Sequence, residues 1–133
     1  IASLLASATI SFIVHRGETG LFHDALTSGV SQLLLPKWQT NYDYAIQAEW
    51  LGVGTWANKA HAPSIQNGEV TAVLRNLVNQ QGEGFRITQQ AARISSAVQA
   101  HPGQLTAAKE ILKALSLSMN ETNRQWKAIS DEL

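Results

Sequence analysis

The chain contains no cysteine, so disulfides and thiolate metal sites are excluded and the redox compartment is left open. Charge is scarce: 15% of residues are Asp, Glu, Lys or Arg, against 44% apolar. Ten basic residues balance ten acidic ones, which removes the usual electrostatic argument for nucleic-acid or anionic-membrane binding. Long hydrophobic runs are missing too. The longest apolar stretches, such as residues 10–14 and 33–35, fall far short of the roughly 20 residues needed to span a bilayer. The first residues lack the basic lead-in and long apolar core of a secretion signal. No carboxylate–histidine grouping has metal-ligand spacing. A cytoplasmic chain is expected, with no nucleic-acid partner, no strong membrane signal and no resident cofactor.

What is present is one domain's worth of chain, 133 residues, enough for a single packed core. So thin a charge shell suggests that other protein normally covers part of the surface. The chain opens on Ile1 rather than Met, which reads as a cut start.

Residues 10–14 form a short, mostly apolar run rich in β-formers, read as a strand buried on both faces. Leu21, Phe22, Ala25 and Leu26 recur at helical spacing over residues 18–27, and Gly29 closes that helix. Residues 32–35 give a second buried strand, stopped by Pro36, and residues 42–51 a second helix. Gly52 to Gly54 turn the chain into a third short strand reaching Trp56. A loop over residues 58–67 then leads to helices at 69–79, 84–100, 104–115 and 117–133. His101-Pro102-Gly103 separates the second of these from the third.

Alternating strands and helices argue for an α/β unit with parallel strands, flanking helices and a helical C-terminal part. Only about three strands are present where a sheet usually has about 4 to 6, which leaves an open edge. The missing strands are expected from upstream sequence or another chain.

In such sheets ligands sit beyond the carboxyl ends of the strands, where a helix start offers free backbone N–H groups. Gly17 and Gly20 lie there, between the first strand and the helix after it. A plain tight turn remains an equally good account of two glycines alone.

The run His15-Arg-Gly-Glu-Thr-Gly-Leu-Phe-His-Asp-Ala-Leu26 carries more information. With Leu34-Leu-Pro-Lys-Trp38, Tyr42-Asp-Tyr-Ala45 and Glu49-Trp-Leu-Gly-Val-Gly54, it resembles the donor-binding signature of the UDP-glycosyltransferases, in its microbial and fungal form. His101-Pro-Gly-Gln-Leu-Thr-Ala-Ala-Lys-Glu-Ile-Leu112 is similar to a later helix of that family. The resemblance implies the C-terminal half of a GT-B fold, a partial Rossmann-like sheet that binds a UDP-sugar. Residues 1–115 would be that domain, truncated on its N-terminal side. Residues 116–133 would be a helix packing on the absent N-terminal domain, which binds the small-molecule acceptor and supplies the catalytic base.

Carried over residue by residue, Arg16 falls on the phosphate-contacting histidine and Gly17 on the first glycine of the family's motif. Glu18 stands at its second glycine, Gly20 at a small position and Leu21 at the phosphate-binding serine. Asp24 takes the place of the acid that accepts the ribose hydroxyls. Thr40 and Asn41 stand where the family has an acid and a glutamine for the sugar. The resemblance thus implies that His15, Arg16, Gly17, Thr19, Gly20 and Asp24 form the nucleotide side of the site, and Trp38, Thr40 and Asn41 the hexose side.

Other readings stay open for several of these residues. His15 is a ligand or a satisfied core residue, and Trp38 covers a sugar or fills the strand end. His23, Trp50 and Trp56 are expected to be structural. Trp126 is expected on a face turned to the absent domain, and no catalytic residue is assigned to this chain. The departures at Glu18, Leu21 and Thr40 keep a second function in play: a non-catalytic homologue used as a scaffold or binding module.

Overall fold

The computed structural model describes residues 1–7, 9–79 and 82–131, apart from the side chains of residues 122, 123 and 125–131. A short helix, α1 (Ala2–Leu5), precedes β1 (Phe12–His15), α2 (Thr19–Ser28), β2 (Ser31–Leu34), α3 (Gln39–Leu51) and β3 (Gly54–Trp56). Three helices follow: α4 (Asn67–Val78), α5 (Glu83–Ala100) and α6 (Gly103–Asp131). The strands form one parallel sheet in the order β1-β2-β3. His15 lies opposite Leu34, and Leu34 opposite Trp56. The segments after all three strands therefore emerge at one edge of the sheet, its carboxyl edge.

β2 is central and all four of its residues are buried, as its apolar run predicts. Leu34 packs with Phe22 of α2, Ala45 and Ala48 of α3, and Ala91 of α5. Leu33 packs with Ala57, Leu77 of α4 and Ile87 of α5. Successive strand residues face opposite sides of a sheet, so these two clusters place helices on both faces. Leu5, Ala25 and Val30 form a third cluster that fixes α1 to α2. Gly29 ends α2 in the left-handed conformation, φ 72°, the helix stop that a glycine best supplies.

Four expectations need correction. β1 is not buried on both faces: Val14 is 49% exposed, because it opens into a cleft at the carboxyl edge. α3 starts at Gln39, three residues before the predicted 42, so Thr40 and Asn41 lie in a helical first turn. Residues 104–131 contain no glycine or proline, and the two helices expected there are one, α6. Trp50 is 82% exposed rather than core, because α3 buries Ala45 and Ala48, and Trp50 points away from their face.

The chain divides into two compact units, residues 1–99 and 100–133, so the boundary expected after residue 115 falls inside α6. α6 carries exposed apolar side chains, Leu105, Leu112 and Met119 among them. The side chains of Trp126 and Ile129 lie outside the described residues. No described helix is long and apolar enough to cross a membrane.

Candidate functional site

The turn after β1 is built around a buried histidine. Gly17 N–H donates to His15 Nδ1 at 3.1 Å, so that nitrogen is the acceptor and the proton sits on Nε2. Nε2–H then donates to Gln32 Oε1 at 2.9 Å, and Gln32 Nε2 donates to the Phe22 carbonyl at 3.4 Å. Glu18 Oε2 lies 3.5 Å from the same His15 Nδ1. His15 is therefore a satisfied core residue that shapes the turn.

Gly17 occupies φ +95°, and a Cβ placed there would meet the Asn41 carbonyl oxygen at 2.8 Å. The backbone needs glycine here for both reasons. Asn41 Nδ2–H donates to the Gly17 carbonyl at 3.1 Å, while its Oδ1 accepts Trp38 N–H at 3.3 Å. Asn41 N–H in turn donates to the Trp38 carbonyl at 2.9 Å. One side chain thus starts α3 and clamps it to the turn before α2.

Two of the turn's backbone donors are already used. Gly17 N–H goes to His15, and Arg16 N–H donates to Glu18 Oε2 at 3.0 Å. The donor expected from Gly17 is therefore committed inside the fold. Glu18 caps α2 without a side-chain hydrogen bond into the helix, and the N–H groups of Thr19, Gly20 and Leu21 have no intrahelical acceptor at its first turn. These three amides and the helix dipole favour negative charge at that point.

A cleft of about 460 Å³ opens beside them, within the usual range for small-molecule sites. Val14, Arg16, Glu18, Leu21 and Lys37 line it from β1, α2 and the segment after β2. Pro63 and Ile65 wall it from the loop after β3. That loop is pinned by Asn58, which accepts Trp56 Nε1–H at 3.0 Å and donates to the carbonyls of Pro36 at 3.4 Å and Ser64 at 3.1 Å. Glu69 holds the same loop, accepting Ala60 N–H at 2.8 Å and facing His61 Nδ1 at 2.9 Å. The Ala60 donor first, and His61 second, keep the Glu69 carboxyl below its ordinary value of 4.5. Neither Arg16 nor Lys37 has a carboxylate partner among the described residues.

A second cavity of about 460 Å³ touches Phe12 and Ser31 at the other end of the strands, with Leu77, Gly84 and Thr88. It has no charged residue in its lining, so the charged cleft is the better candidate. Among the described residues, no three His, Asp or Glu side chains gather where one metal ion could be held.

No protein-family model matches the chain. Curated fungal relatives do. The chain is 33% identical over 112 residues to glycosyltransferase sdnJ of Sordaria araneosa, covering 83% of this chain and 21% of that protein. It is 24% identical over 129 residues to erythritol-mannosyl-transferase 1 of Mycosarcoma maydis, and 29% identical over 119 residues to the protein of that name from Pseudozyma antarctica. Among solved structures, the glycosyltransferase SnogD from Streptomyces nogalater, a GT-B enzyme, aligns over 85% of this chain and 28% of its own, with a TM-score of 0.55 and 28% identity. The chain's homologues are thus glycosyltransferases, and its fold matches part of a GT-B enzyme. It spans about a fifth of the length of its curated relatives.

The structure brings His15, Arg16, Glu18 and Leu21 together on the cleft, with Gly17 and Asn41 locked to each other beside it. Thr19 and Gly20 form the first turn of α2, not a loop before it. Asp24 stands one turn further along α2 and is half-buried. Trp38, 67% exposed, and Thr40 sit at the start of α3 outside the cleft lining. His23 is exposed, with its ring edge-on to Phe22 and Tyr44. Glu49 pairs with Lys59 at 2.7 Å, and Trp56 packs half-buried on Tyr42. Sequence reasoning missed Lys37, Gln32 and Asn58. Lys37 was visible as a cation directly after a strand-ending proline. Gln32 acts through partners 10 and 17 residues away, and Asn58 reaches Pro36 22 residues back, which no local pattern shows.

Proposed function

We propose that the cleft binds the diphosphate of a UDP-sugar, and that this chain is the donor-binding portion of a glycosyltransferase. The observation that carries the reading is Arg16, without a carboxylate partner among the described residues, beside the first-turn amides of α2 at the carboxyl edge of a parallel sheet. A guanidinium offers a phosphate two parallel hydrogen bonds, where the histidine usual in the family offers one. Asp24 accepts the ribose hydroxyls; Trp38 and Thr40 flank the hexose. Asn41 has both ends of its amide committed, so it serves the site by holding the turn. The hexose moves to a small acceptor in one inverting displacement, with the base and acceptor pocket in a domain outside these residues. The Mycosarcoma maydis and Pseudozyma antarctica relatives, named for mannosyl transfer to erythritol, support a hexose and a small polyol-like acceptor. In this reading residues 1–115 form the donor domain, residues 116–133 reach toward the acceptor domain, and the protein works in the cytoplasm.

A specific pair of features favours a second reading, a scaffold that has lost its donor. Glu18 puts a carboxylate on the cleft, and Leu21 lines it where a hydroxyl would bind phosphate. Calorimetric titration of the chain with UDP, UDP-glucose and GDP separates the two. Saturable UDP binding, tighter than GDP, is the expected result; no saturable heat with any of them establishes the scaffold.

A further inference from the structure

We propose that Lys37 is a second anion-binding residue of the cleft, selecting ligands that carry an anionic group beyond the one held by Arg16. The inference rests on reading the cleft as a donor site and adds a specificity residue to it. Arg16 leaves the end of β1 and Lys37 follows the end of β2, and both strands end opposite each other, at His15 and Leu34. Neighbouring strands lie about 4.8 Å apart, so two cations on adjacent strand ends suit a ligand with two linked anionic groups. The backbone before Lys37 is fixed: Pro36 is buried, and Asn58 holds its carbonyl. The side chain itself is exposed and without an ion-pair partner among the described residues. Glu18, the only acid on this cleft, has one carboxylate oxygen engaged by Arg16 N–H and stays on the β1 side. Two unneutralised cations in one cleft repel, and an anionic ligand relieves that repulsion. Leu21 offers the ligand no hydroxyl, and Lys37 adds a polar group to the same lining.

The second anionic group is either the second phosphate of a nucleoside diphosphate or the carboxylate of a uronic-acid sugar. Titrating UMP, UDP, UDP-glucose and UDP-glucuronate into the chain and its Lys37→Met and Lys37→Arg variants distinguishes them. Lys37→Met is expected to weaken UDP roughly threefold to tenfold and UMP by less than about twofold, with a shallower dependence of UDP affinity on salt. Lys37→Arg should restore both. A loss confined to UDP-glucuronate assigns Lys37 to the sugar carboxylate. Equal losses for UMP and UDP, or unchanged affinity for every ligand, overturn the proposal. Absence of UDP binding to the unaltered chain overturns the donor-site reading itself, a result visible before any variant is made.

Discussion

The side-chain amide of Asn41 donates to the carbonyl of Gly17 at 3.1 Å, joining the start of α3 to the turn before α2 across 24 residues of sequence. Because Asn41 also receives Trp38 N–H, Asn41→Ala strips two hydrogen bonds from the strand-end loops at once. It is expected to destabilise the chain by about 1–2 kcal/mol, read from the urea midpoint. Gly17→Ala meets both the positive φ and the Asn41 carbonyl, and should cost about 1–3 kcal/mol. An unchanged midpoint for either variant contradicts the clamp.

His15 and Gln32 form one buried hydrogen-bonded unit reaching from Gly17 N–H to the Phe22 carbonyl. Gln32→Leu leaves His15 Nε2–H unpaired in the core, at about 1–3 kcal/mol. His15→Leu orphans Gly17 N–H at a similar cost. The double variant should lose less than the sum of the two, with a coupling of about 0.5–3 kcal/mol in a denaturation cycle. Strict additivity would show that the two side chains do not act together.

Glu69 gives the cleft wall a pH dependence. Its carboxyl is held below 4.5 in the folded chain, chiefly by Ala60 N–H and then by His61. A depressed carboxylate contributes stability that is complete above its unfolded value and is lost as pH falls through the folded one. Glu69→Gln should therefore lower the urea midpoint at pH 7, and the gap from the unaltered chain should narrow below pH 4.5. A gap that is constant from pH 7 to pH 3 contradicts the assignment.

The alternation of elements was legible because strong local signals agreed with the fold. Apolar residues 33–35, Pro36, Gly29 and Gly52 each mark a boundary that the sheet and its helices respect. The early start of α3 was not legible, since its N-cap is Trp38 rather than Ser, Thr or Asp, and Asn41 closes the turn through a reciprocal bond with Trp38. The break expected between residues 115 and 117 is absent from α6, since no glycine or proline interrupts the helix there. At the site, the family motif assigns Arg16 and Gly17 to the phosphates and Asn41 to the sugar. Its bond to Gly17 depends on packing between elements 24 residues apart, which sequence spacing does not encode.

The central claim is that Arg16 holds a phosphate at the start of α2. The direct measurement is the calorimetric UDP affinity of the chain and its Arg16→Ala variant, with urea midpoints confirming that the exposed substitution leaves folding intact. The account predicts saturable UDP binding that Arg16→Ala weakens roughly tenfold to a hundredfold. Equal affinity in the two proteins would contradict it.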